Sequence, residues 1–181
     1  RVVGSGFVEV WGPVDALPAE QAAAFKKYKA LLSKGALAGA NPGHGREVFE
    51  KTCSSCHKLY GKGGLIGPDI TGANRTNIDY LLGNILTPSA IIQDAYRMQM
   101  VLMRDGRLYS GIPAVESERV LELRVANQEK PVALAKSQIA SREIAPVSMM
   151  PEGLLANLSD AEVLDLVAYL KKLKQVPLPK K

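Results

Sequence analysis

The chain has 181 residues, with 23 Lys and Arg against 18 Asp and Glu, giving a net charge of +5 with neutral histidines. Apolar residues make up 46% and charged residues 23%, an ordinary globular balance with room for one good core plus a small appended unit. No apolar run approaches the about 20 residues of a membrane span. The basic residues form no stripe suited to nucleic acid, and two cysteines cannot build a disulfide framework. The chain starts at Arg1 with no charged n-region or apolar h-region, and so reads as a mature chain after signal removal or as a piece of something longer.

In chain order, Gly6-Phe7-Val8-Glu9-Val10-Trp11 followed by Gly12-Pro13 reads as a strand or an ordered arm. Pro18 to Ser33 has helical spacing through Ala22, Phe25, Tyr28, Leu31 and Leu32. The segment from Gly35 to Gly45 is rich in Gly, Ala, Asn and Pro and reads as a linker carrying the main domain boundary. A helix is expected from Gly45 to Thr52, then a glycine-rich loop from Gly61 to Gly72. Thr76 is the expected cap of the next helix, with Asp79 three residues on and an apolar stripe of Ile78, Leu81, Leu82 and Ile85. Thr87-Pro88 ends it.

The period then changes. Tyr96 to Arg104 is strand-like, Asp105-Gly106 signals a hairpin, and Leu108 to Val115 is its partner. Val120 to Val125 alternates, and Pro131 to Ala135 and Ile139 to Ile144 add two short strands, together an antiparallel β-meander. Pro146 to Gly153 is a loop holding Met149-Met150-Pro151. Ser159 and Glu162 form a capping box for a last helix with the stripe Val163, Leu166, Val167, Leu170 and Leu173. The terminal cluster Lys171, Lys172, Lys174, Lys180 and Lys181 reads as a solvated tail or as a surface for an acidic partner.

Chemistry concentrates in Cys53-Ser54-Ser55-Cys56-His57. Two thiols three residues apart suit addition to two haem vinyl groups, and the histidine that follows at once presents a ring nitrogen to the iron. This C-x-x-C-H pattern signals c-type haem attachment. A thioredoxin-like dithiol expects a βαβ context, which is missing here. A zinc site needs about four ligands, and only His44 remains as a further nitrogen donor. His44 itself reads as an exposed loop histidine. Gly67-Pro68 lies eleven residues after Cys56, where a carbonyl is able to accept a hydrogen bond from His57 Nδ1; a plain turn is the alternative. Met98 and Met100 share a strand face and read as core. Met149 and Met150 sit in a loop able to face the iron, and Pro151 restricts Met150 to extended conformations. Tyr60, Tyr80, Tyr96 and Arg97 are open candidates for contacts to haem propionates.

Gly45-Arg46-Glu47-Val48-Phe49, Cys53 to His57, Gly67-Pro68-Asp69-Ile70-Thr71-Gly72, Met150-Pro151 and Asp165-Leu166-Val167-Ala168-Tyr169-Leu170 together resemble a class I cytochrome c. More narrowly, Ser148-Met149-Met150-Pro151-Glu152-Gly153-Leu154-Leu155 is similar to the planctomycete and verrucomicrobial haem-binding domains, often fused to propeller-type dehydrogenases. The resemblance covers roughly residues 43–173. It implies crossing helices near Gly45, Phe49 and Tyr169, His57 and Met150 as axial ligands, and Pro68 as support for His57. It also favours Met150 over Met149.

The fold expected is α+β: a mainly helical class I cytochrome c core (43–94 and 146–175) with an inserted antiparallel β-unit, meander or barrel-like (95–145). An N-terminal helical extension (1–42) precedes it and a tail (176–181) follows. The function expected is a monohaem electron-transfer protein with one covalent haem c, not an enzyme. Its redox partner would be a periplasmic dehydrogenase or a terminal acceptor, in a periplasmic or other extracytoplasmic compartment. The alternative is a haem-based ligand sensor or catalytic haem domain with a labile sixth ligand.

Overall fold

The computed structural model describes residues 17–179. The expected arm at Gly6 to Trp11, and Lys180 and Lys181, lie outside the described residues. Five α-helices and a five-stranded antiparallel sheet are present among those residues. None of the helices is long and apolar enough to cross a membrane.

Local caps explain where the helices start. α1 (Ala19–Leu31) follows Pro18 and buries Phe25 and Tyr28. α2 (Lys34–Ala38) is capped by Ser33, whose hydroxyl accepts from the Ala36 amide. It replaces the first part of the expected linker, Gly35 to Ala38, with helix. α3 (Pro42–Thr52) has Asn41 as its cap and Pro42 in the first turn. It therefore opens before Gly45 and takes in His44. α4 (Ile78–Leu86) is capped by Asn77, not Thr76; the Asn77 side chain accepts from the amides of Asp79 and Tyr80. α5 (Asp160–Leu170) starts with the full Ser159–Glu162 capping box. It ends at Leu170, so Leu173 falls beyond the helix and is 78% exposed.

These helices share one core. α3 contributes Val48 and Phe49, α5 contributes Val163, Leu166, Val167, Tyr169 and Leu170, and α4 contributes Leu81, Leu82 and Leu86. Phe25, Tyr28 and Leu32 join the same cluster, so α1 is packed into it. The Phe49 and Tyr169 rings meet at 5.6 Å between centroids. α3 crosses α5 at Gly45, where a Cβ would strike the carbonyl group of Asp165 and lie 2.9 Å from the Leu166 nitrogen.

The sheet comprises β1 (Gln99–Met103), β2 (Leu108–Glu116), β3 (Val120–Arg124), β4 (Val132–Ala135) and β5 (Ile139–Ile144). Its order is β4-β3-β2-β1-β5. The first four strands follow a meander, and β5 then returns to the far side of β1. A flat sheet would separate its edge strands by about 19 Å, four inter-strand spacings. The link from Ala135 to Ile139 spans at most about 14 Å. The sheet must therefore curl. Lys136 N donates to Arg119 O at 2.9 Å and Arg104 N donates to Gln138 O at 2.8 Å, fastening the link to both sides. β2 supplies the bend: its first half pairs with β1 and its second with β3, with a register shift between Pro113 and Val115. Arg142 on β5 spans the seam to Glu116 with two bonds of 2.7 and 2.9 Å.

The interior of this unit is a second core of Val101, Met103, Leu121, Leu123 and Leu134. Along β1 the buried residues are Gln99, Val101 and Met103. Met98 and Met100 therefore lie on the other face, half-buried, and not in the core expected for them.

Candidate functional site

The C-x-x-C-H motif forms the turn that leaves α3. Cys53 caps the helix, with its N–H donating to Phe49 O, and the amides of Cys56 and His57 both donate to Cys53 O. This tight turn brings the two cysteines and the histidine into one short segment. Neither cysteine is in a disulfide, and both are half-buried.

The glycine-rich loop is laced onto the motif. Gly64 N donates to Ser54 O at 2.8 Å, Gly67 N to Cys56 O at 2.9 Å, and Ile70 N to Lys58 O at 2.9 Å. The loop thus brings Pro68 to His57, whose Nδ1 lies 3.0 Å from the Pro68 carbonyl oxygen. A carbonyl only accepts, so Nδ1 carries the proton. Burial lowers the His57 pKa, against a smaller opposing effect of the Pro68 bond. The ring is therefore neutral at pH 7, and its Nε2 keeps a bare lone pair. Gly67 lies against the ring face: a Cβ there would come 2.8 Å from Nδ1 and 3.0 Å from Nε2.

The donor set discriminates between chemistries. Burial, and secondarily Cys56, push the Cys53 thiol up to about 12, so it is no thiolate at neutral pH. A dithiol oxidoreductase wants the opposite. Among the described residues no group of three or more His, Cys, Asp or Glu is arranged to hold a metal ion. His44 is engaged elsewhere, its Nδ1 being 2.7 Å from Asp165 Oδ2 across the α3–α5 crossing. A haem fits better, because it needs two thiols, one neutral imidazole and apolar surface. Leu65 in the loop laced onto the motif, Ile91 in the turn after α4 and Val147 just before the methionines are exposed apolar side chains.

Met149 and Met150 are both half-buried. Met150 N donates to Ser148 Oγ, and Ser148 N donates to Ser89 Oγ, each at 3.1 Å, so the loop is tied to the turn after α4. No hydrogen bond joins this loop to the His57 segment among the described residues. Of the other candidates, Tyr60 is occupied with Lys172 O and Arg75, and Arg97 pairs with Asp94 at 2.8 Å. Sequence reasoning passed over Arg75, which is buried and bonded to Thr71, Tyr60, Leu170 and Lys172; its Nε has no partner among the described residues. The only signal in the sequence is a lone arginine after a glycine-rich loop.

Residues 40–106 match the family model described as cytochrome c oxidase, cbb3-type, subunit III. The match runs from the approach to α3 through the motif, the Pro68 loop and α4 to the first hairpin, and stops before Met149 and Met150. It supports a c-type cytochrome domain, with the covalent haem and electron-transfer role that such domains have. No curated protein matches the chain.

Proposed function

We propose that this chain is a monohaem c-type cytochrome that carries electrons, with Cys53 and Cys56 as thioether anchors and His57 and Met150 as axial ligands. The observation that carries the reading is the His57 ring, its Nδ1 held 3.0 Å from the Pro68 carbonyl oxygen, in one turn with two cysteines outside any disulfide. Haem c would supply one-electron chemistry, at a potential set by its axial ligands and burial. The chain's own residues orient the imidazole through the Pro68 carbonyl. Met150 enters through its place in the loop and through the class I resemblance. The same resemblance supports reading α3, α4 and α5 as a class I core around the haem. It also supports a periplasmic or other extracytoplasmic location, a redox protein partner and fusion to a dehydrogenase in the parent protein. A full-length reading frame coding only this domain would remove the basis for the fusion.

Visible spectra of the purified protein in both redox states test the reading. A low-spin ferric spectrum with the weak far-red band of methionine–iron ligation is expected. Met150→Ala should abolish that band and Met149→Ala should leave it; the reverse assigns the ligand to Met149. A high-spin spectrum, or rapid CO binding to the reduced protein, would replace the electron carrier with a ligand sensor.

A further inference from the structure

Arg75 is 4% exposed, although it belongs to no helix or strand. A guanidinium stays charged, so burying it is costly unless its donors are matched. Its partners come from three separate stretches of chain. Nη2 donates to Thr71 O at 2.9 Å. Nη1 donates to the carbonyls of Leu170 and Lys172, the second at 2.8 Å, and to the Tyr60 hydroxyl at 3.1 Å. The guanidinium also lies 5.2 Å from the centroid of the Tyr60 ring. Leu170 is the last residue of α5, where carbonyls lack helical partners and a cation is favoured.

Tyr60 shows the same convergence. Its φ is +51°, a left-handed conformation that is costly for a bulky side chain. Gly61 beside it also has positive φ, and Leu59 and Lys62 pair across the turn, as in a type I′ hairpin. Tyr60 is held there by its amide, which donates to Thr71 Oγ1 at 2.9 Å, and by its hydroxyl, which donates to Lys172 O. The Tyr60 amide and Arg75 Nη2 thus both bond to Thr71, three residues from Pro68.

We propose that Arg75 is a positioning residue: by clamping Thr71 and Tyr60 to the C-terminus of α5, it holds the Pro68 carbonyl against His57 Nδ1. The proposal rests on the haem reading in one respect. A slackened Nδ1–H···O bond makes His57 a poorer donor to ferric iron, which raises the reduction potential.

Arg75→Lys in the full haem-loaded chain is the test, because lysine keeps the charge and loses the planar fork. Exchange of the His57 Nδ1 proton, read by NMR in the reduced protein, should speed up at least tenfold, and the potential should rise. A role confined to stapling the fold would lower the melting temperature and leave both readouts at native values. Either readout at its native value overturns the proposal. If Arg75→Lys does not fold, Tyr60→Phe removes one arm of the clamp and should move both readouts in the same direction. A haem stain on a denaturing gel checks the functional reading separately. Should no covalent haem be found, that reading falls, and proton exchange alone decides the role of Arg75.

Discussion

Gly45→Ala puts the helix crossing to a direct test. The added Cβ would lie 2.9 Å from the Leu166 nitrogen and closer still to the Asp165 carbonyl group, whereas ordinary contact begins at 3.4 Å. The obstacle is backbone, so no side-chain rotation relieves it, and α3 must move away from α5. That movement also pulls on two bonds at the crossing: Asn41 N to Asp165 Oδ1 at 2.6 Å, and His44 Nδ1 to Asp165 Oδ2 at 2.7 Å. Overpacking a closed interface costs about 1–3 kcal/mol, and more where the backbone has to shift. Replacing a helical glycine by alanine returns up to about 1 kcal/mol. With the strained bonds included, a net loss of ~2–4 kcal/mol is expected. For a chain of this size it corresponds to a fall of ~5–15 °C in melting temperature. Urea titration followed by far-UV circular dichroism measures it, and Gly45→Val should lose more than Gly45→Ala. A midpoint at or above the native one, with an unchanged slope, would refute the close crossing.

Two further outcomes follow from the geometry. Gly67→Ala places a methyl group 2.8 Å from His57 Nδ1 and 3.0 Å from Nε2, so the ring must turn off its axis. The haem-loaded variant should show a larger high-spin fraction than native protein, and a native spectrum at native yield would count against the ring-facing role of Gly67. Glu116 is held at about 2, below its ordinary 4.5, by bonds to Arg142 and Lys136. A depressed carboxylate stabilises the fold above its unfolded pKa and loses that contribution as pH falls toward the folded value. Native protein should therefore exceed Glu116→Gln by about 1 kcal/mol at pH 6, as suits a solvent-screened network. The gap in melting temperature should close between pH 4.5 and 2, and a gap constant with pH would sink the argument.

What was legible in the sequence was local. The Ser159–Glu162 capping box and the Asp105-Gly106 turn depend on residues within four positions of each other, and both stand in the structure. Thr76 and Asn77 are adjacent cap-forming residues, and propensity alone does not choose between them. The alternation in β1 was visible, but not which face turns inward. Burial of Val101 and Met103 decides that, so Met98 and Met100 went to the wrong side. Long-range pairings left no trace: β5 returns to β1, His44 meets Asp165, and Arg75 reaches Leu170 and Lys172. Cys53 to His57 and Gly67-Pro68 stand out in the sequence by residue type and spacing. Their close approach, with Gly67 against the ring, needed the fold.

The bond from Ser148 N to Ser89 Oγ has a consequence for how the chain assembles. The intervening stretch of nearly sixty residues departs from and returns to almost the same point, and most of it folds around its own core. Once that core forms, the Met149–Met150 loop is tethered to the end of α4 by a short effective tether. Because Gln99 pairs with Ile144, the loop shrinks from about sixty residues to about fourteen, which spares about two doublings of length, or roughly 1 kcal/mol of closure entropy. The β-unit thus shortens the search that brings two distant halves of the chain together, and the helical half gains this without a single added contact.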